Sequence, residues 1–358
     1  MMKKIQYRSV NNYTDYNIHI GNNIISKILP IINIKKYSKI GILADDYTYN
    51  SILPKLLPHI GNNFVPIILQ RGEKEKNFSS LKKVLKTMFE NSFDKKSVLI
   101  NLGGGVICDV GGLAAGLYLR GIDHINIPTT LMSQADAAIG GKTAINFWGL
   151  KNTVGIINHP TVVISDISFL KTLSKRDFTT GFVEMFKIGI IFDKKFFQIL
   201  KKVDIKNILD KEIVYLIHKS NLLKLRIVSQ DEKDNNVRKL LNFGHTVGHA
   251  VEEASQKQKR ILNHGESVLL GMLAEIKLSN LLGLLSKKEY LTIKSALMSI
   301  GFLHHANLSY NIMYKNMTKD KKNNFNQILF SLPIAIGSGK YDIKAPTELV
   351  EISVRSII

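Results

Sequence analysis

At 358 residues the chain is longer than one hydrophobic core usually serves, and its 45% apolar and 22% charged residues are those of a folded globular protein, so two domains are expected. A single cysteine, Cys108, excludes an intrachain disulfide and fits the cytoplasm; no apolar segment follows the first lysines and no apolar run reaches membrane length, so neither a signal peptide nor a membrane span is expected. The net charge of +20 comes from lysines that are scattered or paired in a chain rich in Lys, Asn and Ile, which reads as compositional bias and not as a nucleic-acid-binding face.

In chain order, "KIGILADD" and "KSVLINLGGG" are apolar strands that stop at polar or glycine punctuation, and "DHINIPTT" and "TVVISD" read the same way. Between the first two lies "NFSSLKKVLKTMFENS", with a capping residue at its start and apolar i, i+3, i+4 spacing. Alternation of this kind predicts a parallel sheet with helices on its faces. After about residue 168 the pattern changes to long helices, running to about residue 318. "NQILFSLPIAIGSGKYDIKA" then reads as strand or hairpin, and "PTELVEISVRSII" as a closing helix with Pro346 near its start. The expectation is an α/β chain: an N-terminal Rossmann-like parallel-sheet domain over residues 1–168, then a mostly α-helical domain over 169–358.

Four stretches carry chemistry. In "LINLGGGVICDVGG" a strand runs into Gly103, Gly104 and Gly105 and then a helix, an arrangement that lets backbone N–H groups approach a phosphate. It is not the dinucleotide fingerprint, because Cys108 stands where the third glycine should be, and the acid suited to a ribose, Asp45 or Asp46, precedes the glycines. "GGKT" at 140–143 fails as a nucleoside-triphosphate loop, because Asp136 occupies the place of its first glycine. What remains there is Asp136, two glycines and Lys142, an acid and a lysine able to orient a polar ligand or to pair. In "TTGFVEMFKIGIIF" Glu184 and Lys187 are the only charges, three apart on one helix face, as a buried ion pair or a metal site requires. In "RKLLNFGHTVGHAVE" Arg238, Asn242, His245 and His249 step by four, three and four, which on one continuous helix makes a single stripe. The zincin glutamate is absent, since Thr246 follows His245, but Glu184, His245 and His264 would make a His₂Glu set with an open position, suited to catalytic zinc.

Together these motifs resemble the 3-dehydroquinate synthase family. "GGGVICDVGG", "RGIDHINIPTTLMSQADAAIGGKTAIN", "LKNTVG", "FVEMFKIG", "SQDE", "RKLLNFGHTVGHAVE" and "NHGESVLLGM" stand in the family's order and spacing over nearly the whole chain. The resemblance implies conversion of the sugar acid phosphate 3-deoxy-D-arabino-heptulosonate 7-phosphate to 3-dehydroquinate and phosphate, with NAD used catalytically and one divalent metal, zinc or cobalt, in a homodimer. By position it implies Glu184, His245 and His264 as metal ligands. Asp136, Lys142, Lys187, Lys224, Arg238, Asn242 and His249 fall on substrate positions, with Lys321 or Lys322 as a further phosphate contact and Arg120 reaching the neighbouring subunit's site. For NAD it implies Asp46, Glu73, Lys76, Gly104, Gly105, Val106, Asp109, Thr129, Thr130, Lys142, Lys151, Asn152, Phe169 and Thr172. The chain departs from the family's habit at Ala137 and Ala138, at "NFWGLKN", which displaces the expected glycine before Lys151, and at "LRIVSQDE" after Lys224, none of which removes a reacting group. The nearest rivals are another sugar-phosphate cyclase and an NAD-dependent polyol dehydrogenase of the same superfamily.

Overall fold

The structure is a computed structural model that describes residues 1–8, 15–256, 261–301, 308–319 and 327–358. It divides into two compact units. The first holds Met1–Phe178 with Ile208–Leu225, the second Thr179–Asn207 with Arg226–Ile358. The helix Asp210–Gln230 contributes its first part to the first unit and its end to the second.

The first unit is built on a seven-stranded sheet. Its strands are β1 (Met2–Arg8), β2 (Asp15–Gly21), β3 (Ile40–Asp45), β4 (Val65–Leu69), β5 (Val98–Gly103), β6 (Asp123–Pro128) and β9 (Val162–Asp166), in the order β1-β2-β9-β6-β5-β3-β4. All neighbours are parallel except β1 and β2. The two-residue period places Ile42, Ala44, Ile100, Leu102 and Ile125 in one core and Leu43 and Leu99 in another, on the two faces of the sheet. Burial on both faces is why β5 is apolar but for Asn101, whose buried amide donates to Asn126 Oδ1 at 2.9 Å.

Two pairings go beyond the elements assigned from the sequence. β1 and β2 form an antiparallel ladder, with Ile5, Tyr7, Tyr16, Ile18 and Ile20 buried in alternation. β7 (Lys142–Phe147) and β8 (Leu150–Ile157) form a separate hairpin, closed by Trp148 and Gly149, both at positive φ as a two-residue hairpin turn requires.

The second unit is mostly helical: its elements include the end of Lys175–Phe192, then Lys194–Leu200, His245–Ser255, His264–Leu281, Lys287–Met298, Tyr310–Lys319 and Thr347–Arg355. The closing hairpin is present as β10 (Phe330–Ala335) against β11 (Ser338–Ile343), and Pro346 is the N-cap of the last helix. No helix among the described residues is long and apolar enough to cross a membrane.

Candidate active site

The helix Lys175–Phe192 is buried from Thr179 to Ile191, and that run includes Glu184 and Lys187. Glu184 is 1% exposed, a position a carboxylate keeps only if other charges or a metal meet it. Three groups do. Lys187 Nζ lies 2.6 Å from Oε2, His264 Nε2 lies 3.3 Å from Oε1, and His245 Nε2 lies 3.7 Å from Oε1. Burial opposes ionisation, but the Lys187 ammonium and His264 outweigh it and hold the Glu184 carboxyl well below the ordinary carboxylate range.

The imidazoles are oriented from behind. His245 Nδ1 stands 3.1 Å from the Phe243 carbonyl, to which it donates as the Nδ1–H tautomer, leaving Nε2 as a lone-pair donor toward Glu184. His264 Nδ1 stands 3.3 Å from Glu252 Oε2. Burial and the Lys187 charge hold His245 well below the usual imidazole range, so it is neutral. Burial also opposes protonation of His264, but contacts with Glu184 and Glu252 push it up to about 9.

The residues fit a divalent metal. One donor atom from each of Glu184, His245 and His264 lies within 4.8 Å of the others. A tetrahedral ion with bonds of about 2.0–2.1 Å separates its ligand atoms by roughly 3.4 Å, close to the two Glu184–His distances. Both histidines carry a rear partner of the kind metal-bound imidazoles need. Among the described residues neither Glu184 oxygen has a hydrogen-bond partner of good angle, although Lys187 Nζ pairs with Oε2 at 2.6 Å.

The single stripe expected from Arg238 to His249 is corrected by the structure. Val237–Asn242 is a short 3₁₀ turn, Phe243 is extended, and Gly244 at φ +78° precedes a new helix that begins at His245. The cause is tertiary. A Cβ on Gly244 would stand 2.4 Å from Met272 Cγ, so the close approach of the helix His264–Leu281 requires glycine here. His249, one turn beyond His245, still joins the histidine group, with ring centroids 5.4 Å from His245 and 6.1 Å from His264. Arg238 is buried in the turn, its Nη1 donating to the Glu232 carbonyl at 2.6 Å and its N–H to Asp231 Oδ2 at 3.0 Å. Asn242, half-buried, ends the turn.

In the first unit a second polar group gathers around Lys76. Its ammonium lies 2.5 Å from Asp109 Oδ2 and donates to Asn152 Oδ1. Glu73 accepts from Asn146 Nδ2 at 2.8 Å and pairs with Lys151 at 3.5 Å. The β7–β8 hairpin brings these residues together, with the Asn146 N–H donating to the Lys76 carbonyl at 2.8 Å. Gly104 is the N-cap of the helix Gly105–Leu117, which has no side-chain cap, so the first-turn N–H groups of Gly105 and Val106 face outward as an anion would need. A Cβ on Gly104 would meet Thr130 Cγ2 at 3.3 Å, and the Thr129 N–H donates to the Gly103 carbonyl. Asp46 opens the helix Asp46–Ser51, and its Oδ1 is buried with no hydrogen-bond partner among the described residues.

Asp136 sits in a π-helical turn, Ser133–Ala137, and pairs with Lys224: Nζ is 2.6 Å from Oδ1 and donates to the Asp136 carbonyl at 2.9 Å. Lys142 is exposed at the start of β7 and lines a small cavity with Asp109, Asn126, Thr143 and Asn158. Phe169 is buried in the apolar core, so its backbone is the part that can meet a ligand, and exposed Thr172 donates its hydroxyl to the Phe169 carbonyl. Arg120 is exposed at φ +62° in a tight turn after the helix Gly105–Leu117. Lys321 and Lys322 lie outside the described residues.

Sequence reasoning missed Glu252 and Glu275. Glu252 stands seven residues after His245, a same-face spacing that could have marked it. Glu275 gave no local signal, since its partners lie about 30 residues away, at |i−j| of 31 and 28.

The family models described as 3-dehydroquinate synthase N-terminal and C-terminal match residues 66–180 and 181–323. A curated 3-dehydroquinate synthase from Helicobacter pylori is 38% identical over 324 residues, covering 90% of this chain and 92% of its own. One from Pelagibacter ubique is 37% identical over 353 residues, covering 96% of each. Among solved structures, 2-deoxy-scyllo-inosose synthase complexed with carbaglucose-6-phosphate, NAD+ and Co2+ superposes with TM-score 0.88 at 22% identity, covering both chains completely. The 2-epi-5-epi-valiolone synthase from Streptomyces hygroscopicus with NAD+ and Zn2+ bound gives 0.85 at 22%, covering 96% of this chain and 97% of its own. These two share the fold, the Rossmann-like domain followed by a helical one. The sequence relatives, aligned over nearly their whole length, decide the rest: the chain belongs to the 3-dehydroquinate synthase family and is an enzyme of that type, a lyase acting on phosphorus–oxygen bonds.

Proposed function

We propose that the chain converts 3-deoxy-D-arabino-heptulosonate 7-phosphate to 3-dehydroquinate and phosphate through oxidation of a ring alcohol, phosphate elimination, reduction, ring opening and aldol closure. The observation that carries this reading is the cluster of buried Glu184 with half-buried His245 and His264 in a chain of this family. Those three residues would hold one zinc or cobalt ion. Asp46, Glu73, Lys76, Gly104, Gly105, Val106, Asp109, Thr129, Thr130, Lys151 and Asn152, with the backbone near Phe169 and Thr172, would hold NAD. Bound, the two cofactors supply reversible hydride exchange and polarisation of the alcohol and carbonyl oxygens.

The chain's own residues do the remaining work. Arg238, His249 and Asn242 meet the phosphate, the guanidinium supplying a planar fork that a lysine cannot copy. Lys187 neutralises the inner face of Glu184 and meets a substrate oxygen beside it. Asp136 is held in place by Lys224 and, with Lys142, orients the ring hydroxyls. The leaving phosphate itself accepts the proton in elimination, so no separate strong base is required.

The reading is tested by following absorbance of the reduced cofactor during turnover with excess NAD. No net NADH should accumulate while phosphate is released. One NADH per substrate consumed would instead identify a polyol dehydrogenase.

The same reading makes the enzyme a cytoplasmic homodimer in which Arg120 serves the partner subunit's site. Subunits carrying Arg120→Ala, mixed with subunits inactivated by His264→Ala, should regain up to a quarter of wild-type activity per site, the share expected when half of random pairs are mixed and each has one intact site. No recovery despite demonstrated subunit exchange would assign Arg120 to its own subunit.

A further inference from the structure

His245 and His264 each occupy the first position of a helix, His245–Ser255 and His264–Leu281. The first turn of a helix presents unpaired N–H groups and carries the equivalent of about half a positive charge, which suits anions. A dication held by the first residues of two helices therefore faces two repelling ends. Each end is closed by a buried glutamate.

At His264 the closure is local. Asn263 Oδ1 accepts the Glu266 N–H at 2.9 Å, and Glu266 Oε2 accepts the Asn263 N–H at 2.9 Å, a reciprocal capping box. At His245 no local box is possible, because the N-cap is Gly244 and the third helical position is Val247. Glu275, from the other helix, fills both roles. Its Oε2 accepts the Gly244 N–H at 2.6 Å and its Oε1 accepts the Val247 N–H at 3.1 Å. Glu275 is fully buried, and both oxygens act as acceptors, as those of an ionised carboxylate do. Gly271, one turn before Glu275, permits this reach, since a Cβ there would stand 2.0 Å from the Gly244 carbonyl oxygen.

We infer that Glu275 is a positioning residue of the metal centre. It supplies across two helices the capping box that the His245 helix lacks, fixes the backbone on which His245 stands, and offsets the positive helix end beside the cation. It acts through the Gly244 and Val247 backbone. The inference rests on the reading of Glu184, His245 and His264 as metal ligands.

The test uses the full chain, stripped of metal, titrated with Co2+ against a competing chelator, with the visible absorption of the Co2+ form recorded. Glu275→Gln keeps the shape and removes the charge. It should bind Co2+ about 10- to 100-fold more weakly than wild type, the range typical of partners behind a ligand, and with an altered absorption band. Glu289→Gln is the control. Glu289 also holds a backbone group by its carboxylate, accepting the Ile336 N–H at 3.0 Å, but it sits on the helix Lys287–Met298, which carries no ligand. Its Co2+ affinity should match wild type. If Glu275→Gln does not fold, Glu275→Asp, which keeps the charge with a shorter reach, should still bind several-fold more weakly than wild type. Unchanged affinity and spectrum in whichever Glu275 variant folds, or equal weakening in the Glu289 control, would overturn the inference. Failure of wild type to bind Co2+ would instead remove the metal reading beneath it.

Discussion

Stripping the divalent metal with a chelator should abolish phosphate release, by about a thousandfold or more, and added zinc or cobalt should restore it. The size follows from the several kcal/mol that Lewis-acid polarisation contributes, at about 1.4 kcal/mol per tenfold. The ligand substitutions should separate by burial. His264 is the most exposed of the three, its side chain at 28%, so His264→Ala should lose metal while keeping the fold. Glu184→Gln should lose metal and also stability, because it removes the carboxylate charge that pairs with the buried Lys187 ammonium, 3% exposed. Breaking a buried pair from one side costs about 3–5 kcal/mol. Metal content by elemental analysis and thermal melts of the metal-free proteins read the two effects apart. Full activity in metal-free protein would sink the assignment.

Gly271→Ala should be the most damaging single methyl in the second unit. Its Cβ would stand 2.0 Å from the Gly244 carbonyl oxygen, 2.6 Å from Gly248 N and 2.9 Å from Gly248 Cα, all backbone atoms that no rotamer change can move. The helices His245–Ser255 and His264–Leu281 would have to separate, taking His245 away from Glu184. Overpacking typically costs about 1–3 kcal/mol and exceeds that where backbone must shift, so a loss of about 3 kcal/mol with weakened metal binding is expected. Gly283→Ala is the comparison. At φ +70° with open space around it, it should cost only about 1–2 kcal/mol of backbone strain and leave metal affinity unchanged. Equal behaviour of the two variants in a denaturant melt would show that the helix contact is not tight.

What could be read from the sequence was what local spacing determines. The β5 run into Gly103–Gly105, the three-residue step from Glu184 to Lys187 and the four-residue step from His245 to His249 all depend on neighbours within a turn or a strand. Residue chemistry alone offered Glu184, His245 and His264 as a candidate His₂Glu set, but no periodicity links positions about 60 and 80 residues apart, and it was the resemblance that assigned the three as ligands. The continuous stripe from Arg238 to His249 failed for the complementary reason. Periodicity carries through Gly244, but its left-handed backbone breaks the helix there, Met272 leaves no room for a Cβ, and its N–H is capped by Glu275 from another helix. The β7–β8 hairpin was hidden because β8 alternates little, its residues being almost all exposed or half-exposed. Yet that hairpin is what carries Asn146, Lys151 and Asn152 to Glu73 and Lys76.

The reaction itself is tested most directly by counting phosphate. Metal-loaded protein, 3-deoxy-D-arabino-heptulosonate 7-phosphate in large excess and NAD at a small fraction of the substrate should release phosphate far beyond the NAD supplied, with one 3-dehydroquinate formed per phosphate. Phosphate release that stops at one equivalent of NAD, or that proceeds without 3-dehydroquinate, would contradict the account.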